Sequence, residues 1–248
     1  MSQGIVMQKS ERQSEIYAFL SEKGYASVEE ISRAVYTSES SVRRDLDDME
    51  KRHLVKRCWG GAEIIRSRTN VSSFSTRAHK RAAEKEIIAE KAVRYIKEGN
   101  IVFLDQSSTA FLLAQKLVDF KNLTVVTNNL EILVLLSETD IVLHSSGGIV
   151  SRKNPNCLVG NAAQKTFEGI FADVVFFSTH SLSDEGVLSD CTEEEIYVRN
   201  SMLKNSAKKI FLCDSSKFGT RSSFVQCTVS DVDEIISDIP LPEKFKKH

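Results

Sequence analysis

Five polar runs in the chain each follow a short apolar run. They are Asp105-Gln106-Ser107-Ser108-Thr109, Thr127-Asn128-Asn129, Ser145-Ser146-Gly147-Gly148, the stretch Ser178 to Gly186, and Asp214-Ser215-Ser216-Lys217-Phe218. Such residue types can hold a small anionic polyol. Hydroxyls and unpaired N–H groups at the start of a helix favour phosphate, and glycine backbone lets a ligand approach closely. The candidate ligand set is therefore Asp105, Gln106, Ser107, Ser108, Thr109, Asn128, Gly147, Gly148, Asp184 and Lys217. Gln106, Ser107, Ser108 and Thr109 would take the anionic end, with Lys217 as the neutralising charge. Asn128, Asp184 and the Gly147-Gly148 backbone would take sugar hydroxyls. Any one of these residues is as readily a turn or a cap, so the recurrence carries the reading. Catalytic signals are poor: His144 and His180 have no nucleophile partner, and G-x-S-x-G is absent. No catalytic residue and no cofactor is assigned.

A second chemistry lies near the N-terminus. In Ser38 to Lys51, Val42, Leu46 and Met49 recur at helical spacing, and Ser38 is a good N-cap. Ser40, Ser41, Arg43 and Arg44 then fall in the first turns, off the apolar stripe. A helix offering arginines near its start suits the DNA major groove, although a charged face is often only solvated. The neighbours favour DNA. Capping-box patterns at Ser10–Gln13 and Ser27–Glu30 open two preceding helices. Strand-like runs at Leu54–Arg57 and Ala62–Ile65 flank Cys58-Trp59-Gly60-Gly61 and read as the wing of a winged helix. Lys56, Arg57, Gly60 and Gly61 complete the DNA-contact set. Net charge over the chain is −1, yet between Lys51 and Arg81 nine basic residues face the single acid Glu63. That asymmetry points to a polyanion partner for the N-terminal part.

These residues need elements to hold them. From residue 82 onward, apolar strand-like runs (Ile101–Leu104, Leu123–Thr127, Ile141–His144, Val174–Phe177, Ile210–Cys213, Val232–Ser237) alternate with helical patterns. That rhythm predicts an α/β fold with a mostly parallel, Rossmann-like sheet. Ligands of such sheets bind outside the carboxyl ends of the strands. The expected division is a winged helix-turn-helix domain over 1–66, a linker over 67–81 with Phe74 and Arg77 as docking residues, and a ligand-binding and oligomerisation domain over 82–248. The five cysteines are scattered, with no C-x-x-C pair, which argues against a disulfide framework and a zinc site. No apolar run approaches a membrane span, and a reducing cytoplasm is the expected compartment.

With these motifs in view, the chain resembles the bacterial DeoR-type transcriptional regulators over nearly its whole length. The resemblance rests on Glu11-Arg12-Gln13, Ser41-Val42-Arg43-Arg44-Asp45-Leu46, Arg57 followed by Gly60-Gly61-Ala62, Phe74 with Arg77, Glu84-Lys85, Thr127-Asn128, Gly147-Gly148, Gly160, and Asp214-Ser215-Ser216-Lys217-Phe218-Gly219. It implies a winged-helix repressor acting on a double-stranded operator. It also implies a C-terminal domain similar in fold to ribose-5-phosphate isomerase, which binds a sugar phosphate or related metabolite within a homo-oligomer, a dimer or tetramer. Ser107 stands where the family pattern has glycine, the loop after Phe177 lacks the usual glycines, and Trp59 stands where a histidine is common. Two other readings stay open on sequence: a sugar-phosphate isomerase with a DNA-binding appendage, and a DNA-binding protein whose C-terminal domain only oligomerises.

Overall fold

The computed structural model describes residues 9–52, 54–64 and 74–245. The chain divides into two compact units, residues 1–70 and 71–248. The first unit runs α1 (Lys9–Lys23), β1 (Tyr25–Ser27), α2 (Val28–Ala34), α3 (Glu39–Lys51), β2 (Val55–Cys58) and β3 (Gly61–Ile64). Ile16, Leu20, Ile31, Val42, Leu46 and Met49 are wholly buried and form its core. Ser27 closes the predicted capping box with Glu30, and Ser38 caps α3 by accepting the Ser41 N–H. The Ser10 half of the box expected at Ser10–Gln13 lies outside the described side chains. Helix α1 already begins at Lys9, and Gln13 reaches across to α3 and its C-cap, donating to Asp45 at 3.3 Å and accepting from Arg52. Asp45 is buried and also accepts from Arg12 Nε at 2.6 Å, which ties α1 to α3 by a charge-assisted bond. The wing is a three-stranded sheet of order β1-β3-β2, since β1 pairs along β3. Ile65, expected to end the wing, and Arg66, expected to end the first domain, lie outside the described residues, as does the linker up to residue 73.

The described part of the second unit opens with α4 (Phe74–His79) and α5 (Ala82–Ala92). The expected linker is therefore folded from Phe74 onward. Phe74 is buried and meets the Phe111 ring edge-on at 5.5 Å, so its apolar area anchors a segment whose other residues read as polar. There follow β4 (Ile101–Leu104), α6 (Ser108–Gln115), β5 (Thr124–Thr127), α7 (Leu130–Leu136), β6 (Val142–Ser145), β7 (Ile149–Val150), β8 (Leu158–Val159) and α8 (Asn161–Glu168). The remainder is β9 (Ala172–Phe177), β10 (Ser181–Leu182), β11 (Val187–Asp190), α9 (Glu193–Lys204), β12 (Ser206–Leu212), β13 (Phe224–Thr228) and β14 (Glu234–Ile236).

The main sheet has the order β14-β12-β9-β4-β5-β6, every neighbouring pair parallel, as the alternating pattern predicts. Side chains alternate across it. Val102, Leu104 and Phe176 join one core layer with Ile88, Leu113 and Leu136, while Phe103, Phe177 and Phe211 join the other with Phe167 and Val198. An antiparallel sheet β10-β11-β13 and a ribbon β7-β8 were not predicted. Their strands are only two to five residues long, too short for a run of apolar residues to announce them.

Candidate functional site

The sheet order decides which polar loops meet. Strands β12, β9 and β4 are adjacent, so the loops after Leu212, Phe177 and Leu104 converge at one edge. They line a cleft of about 350 Å³ together with α9 and the α4–α5 connection. Of the expected ligand set, Gln106, Ser107, Ser108, Thr109 and Lys217 line it. Ser107 caps α6 by accepting the Ala110 N–H at 3.0 Å. Ser108 and Thr109 then occupy the first turn, where N–H groups lack intrahelical acceptors, and their hydroxyls have no bonded partner among the described residues. Lys217 Nζ donates to Ser178 Oγ at 2.6 Å and lies 3.6 Å from Asp214 Oδ2. Burial works against the Asp214 carboxylate, but Lys217, the Ser216 hydroxyl and Lys85 outweigh it and hold its carboxyl below the usual range.

The other expected residues stand elsewhere. Asp105 is wholly buried under the floor, accepting from Ser107 N–H, Ser178 N–H and Arg199 Nε at 3.0 to 3.1 Å. Asn128 is also buried and donates to Gln106 Oε1 at 3.3 Å and Leu158 O at 3.1 Å, so it braces a lining residue from behind. Gly147 and Gly148 follow the edge strand β6, two places along the sheet from β4. Gly148 is packed there against Val159 O, where a Cβ would lie at 2.5 Å. Asp184 is exposed and pairs with Lys244 at 2.6 Å, outside the cleft lining.

Sequence reasoning missed most of the positive charge. Arg77, Lys80 and Arg81 fall in the expected linker, where Arg77 is read only as a docking residue, and Lys85 falls in the helix after it; all four line the cleft. Lys85 is 5 % exposed and its ammonium donates to the carbonyls of Arg77 and of Lys80, the latter at 2.8 Å. Burial, then the repulsion of Lys217, pushes its pKa down to about 8. Arg199, also missed, is buried between Asp105 and Asp190 at 3.1 Å each and is neutralised. Glu195 is buried as well, which raises its pKa, and it accepts from Gln106 and Asn154. Burial likewise lowers that of His180, which favours a neutral ring. The cleft thus carries more cations than acids, with free hydroxyls and amides at a helix N-terminus. That equipment binds a polyanion.

The first unit presents a separate surface. Ser40, Arg43 and Arg44 are exposed and Ser41 is half-buried on the side of α3 opposite Val42, Leu46 and Met49. Arg43 pairs with Glu39 at 2.7 Å and Arg44 Nε donates to Ser40 O at 3.3 Å, both within the helix. In the wing, Lys56 is exposed and 3.3 Å from Glu63. Arg57 is turned inward. Its guanidinium meets Asp47 and donates to Arg43 O at 3.3 Å, while its N–H donates to Glu50 Oε1 at 2.7 Å. It therefore fixes the wing against α3. Gly60 is exposed at the turn, but Gly61 is buried against the backbone of Ala26 and Ser27 and holds the hairpin down.

Comparison with known proteins matches residues 12–68 to the DeoR-like helix-turn-helix domain and residues 80–239 to the DeoR C terminal sensor domain. The chain belongs to the DeoR family of transcriptional regulators. The uncharacterized HTH-type transcriptional regulator YulB of Bacillus subtilis is 32 % identical over 92 % of this chain and 88 % of its own length. The glycerol-3-phosphate regulon repressor of Escherichia coli is 27 % identical over 95 % of this chain and 93 % of its own. Among solved structures, ribose 5-phosphate isomerase A of Methanocaldococcus jannaschii aligns with a TM-score of 0.41 at 17 % identity, covering 54 % of this chain and 53 % of that one. The relatives are named as regulators, not enzymes, and this DeoR-family chain is likewise a regulator. Its helix-turn-helix unit binds DNA, and the cleft lies in its sensor domain. Among the described residues no helix is long and apolar enough to cross a membrane.

Proposed function

We propose that this DeoR-family regulator is a repressor of a carbohydrate catabolic operon, released from a double-stranded operator when a phosphorylated sugar or polyol enters the cleft. The observation that carries this is the union of the Ser108-Thr109 helix start with the ammonium groups of Lys85 and Lys217 in one cleft. A dianionic phosphate would satisfy the free donors and offset the clustered cations, while Gln106 and Glu195 are polar enough to meet hydroxyls. The name of the Escherichia coli relative supports both the repressor direction and the ligand class.

A ligand can change DNA affinity only by as much as its own affinity differs between two arrangements of the protein. The test is calorimetry with a panel of sugar and polyol phosphates, followed by operator gel shifts with each binder. Binding should weaken about tenfold or more in Thr109→Val and Lys217→Ala, and the ligand should release operator DNA from the wild type. Equal binding by both variants would move the ligand elsewhere, and failure of the whole panel would remove the sensing role.

A further inference from the structure

Trp59, the only tryptophan in the chain, sits at the tip of the wing and is fully exposed. An indole left in water forgoes the burial that normally holds tryptophan in place. Yet the arm that carries it is stiff. Arg57 locks β2 to Asp47 and to the Arg43 carbonyl on α3, the Gly60 carbonyl accepts the Val28 N–H at 2.8 Å, and Gly61 has backbone contact closer than a Cβ would allow. The indole is thus held out in water at the tip of an arm braced against α3 through Arg57.

We propose that Trp59 enters the DNA minor groove flanking the half-site read by α3, and that it selects A·T pairs there. With α3 in the major groove, a ribbon clamped to its exposed side reaches over one phosphate backbone to the neighbouring minor groove. The walls of that groove are deoxyribose faces, apolar enough to receive an indole. The floor sets the selectivity. Indole Nε1–H is a donor only. An A·T pair shows only the N3 and O2 acceptors in the minor groove, whereas G·C adds the N2 amino donor, which would oppose the indole N–H and crowd the ring. The wing therefore extends the recognised sequence beyond the bases that α3 can touch.

The experiment uses the full-length protein and a duplex recovered by in vitro selection with it. Trp59 is the sole indole, so its fluorescence reports this one site. Adding the duplex should shift the emission to shorter wavelength and shield it from acrylamide. Replacing flanking A·T pairs by G·C should weaken wild-type binding about tenfold, and inosine·C at the same positions should restore it, because inosine lacks the minor-groove amine. Trp59→Ala should bind A·T and G·C flanks alike. Trp59→Phe should keep more affinity than alanine with a reduced A·T preference. Because the side chain is exposed, circular dichroism should find both variants folded. Emission that stays open to acrylamide in the complex, or inosine·C behaving like G·C, overturns the proposal. So does shielding that grows with protein concentration alone, since the indole would then be covered by protein.

Discussion

Arg43 and Arg44 are near neighbours that the helix turns to different bearings. Among the described residues the Arg43 guanidinium pairs with Glu39, one turn back and itself exposed, and such surface pairs contribute little. A bidentate contact to guanine contributes about 1–3 kcal/mol of discrimination, so exchange of partner is favourable. Arg43→Ala and Arg44→Ala should each weaken operator binding by about tenfold or more in gel shifts, with helical content unchanged. One substitution should relax base preference and the other should weaken all sequences alike. In the sensor domain the corresponding residue is Lys85. Its folded-state pKa, pushed down to about 8 first by burial, means that the fold penalises its charge. The unfolded chain then binds more protons above pH 8, and this group adds stability as pH rises from about 8 towards the ordinary lysine value. An anion bound in the cleft reverses the penalty. Binding of a sugar phosphate near pH 8.5 should therefore take up a proton, seen as a dependence of calorimetric heat on the buffer's ionisation enthalpy. Lys85→Met should abolish the uptake and weaken binding; uptake that survives in that variant would assign the proton elsewhere. At this scale the sequence was half legible. Ser107, Ser108, Thr109 and Lys217 follow apolar strands and could be read as ligand residues. Lys85 and Arg199 sit on helices, where nothing local marks them as ligand residues, and burial by distant segments gives them their roles.

The elements explain which expectations converged. Helix periodicity and caps placed α2 and α3 directly, because those signals are local. The order of strands is not local. Five polar loops looked equivalent in the sequence, and only the adjacency of β12, β9 and β4 separates the three that build the cleft from those at Asn128 and Gly147-Gly148. The wing shows the same effect. Lys56 and Arg57 are consecutive basic residues, but strand alternation turns one outward and the other onto α3. They should therefore fail differently. Lys56→Ala should lower affinity on every sequence and reduce the slope of log K against log salt by about one. Arg57→Ala should cost more affinity than its change in slope accounts for, because it frees the arm as well as removing a charge. Parallel losses of affinity and slope in the two variants would return Arg57 to a simple phosphate contact.

At the scale of the whole molecule, one recognition helix reads only a few base pairs, so a specific site normally needs two, carried on two half-sites about one helical turn apart. A single chain has one such helix. The first unit is small and its apolar residues are largely engaged in its own core, which directs self-association to the sensor domain. There β6 is the edge strand of the sheet among the described residues, Val142 is exposed on it, and β7 leaves both Ile149 and Val150 more than half exposed. Soluble proteins seldom leave neighbouring aliphatic side chains in water without a partner, and an unpaired strand edge invites another chain. A second copy of this chain is the occupant that the two-half-site requirement calls for. Light scattering and sedimentation should therefore find at least a dimer of the full-length protein at micromolar concentration. Replacing Ile149 and Val150 together by lysine should shift it towards monomer and weaken operator binding, although both positions lie far along the chain from α3. Loss of DNA affinity in step with loss of the dimer would trace the defect to assembly. A wild-type monomer that still binds its operator tightly would sink the two-half-site picture, and an intact dimer in the double variant would place the interface on another face of the sensor domain.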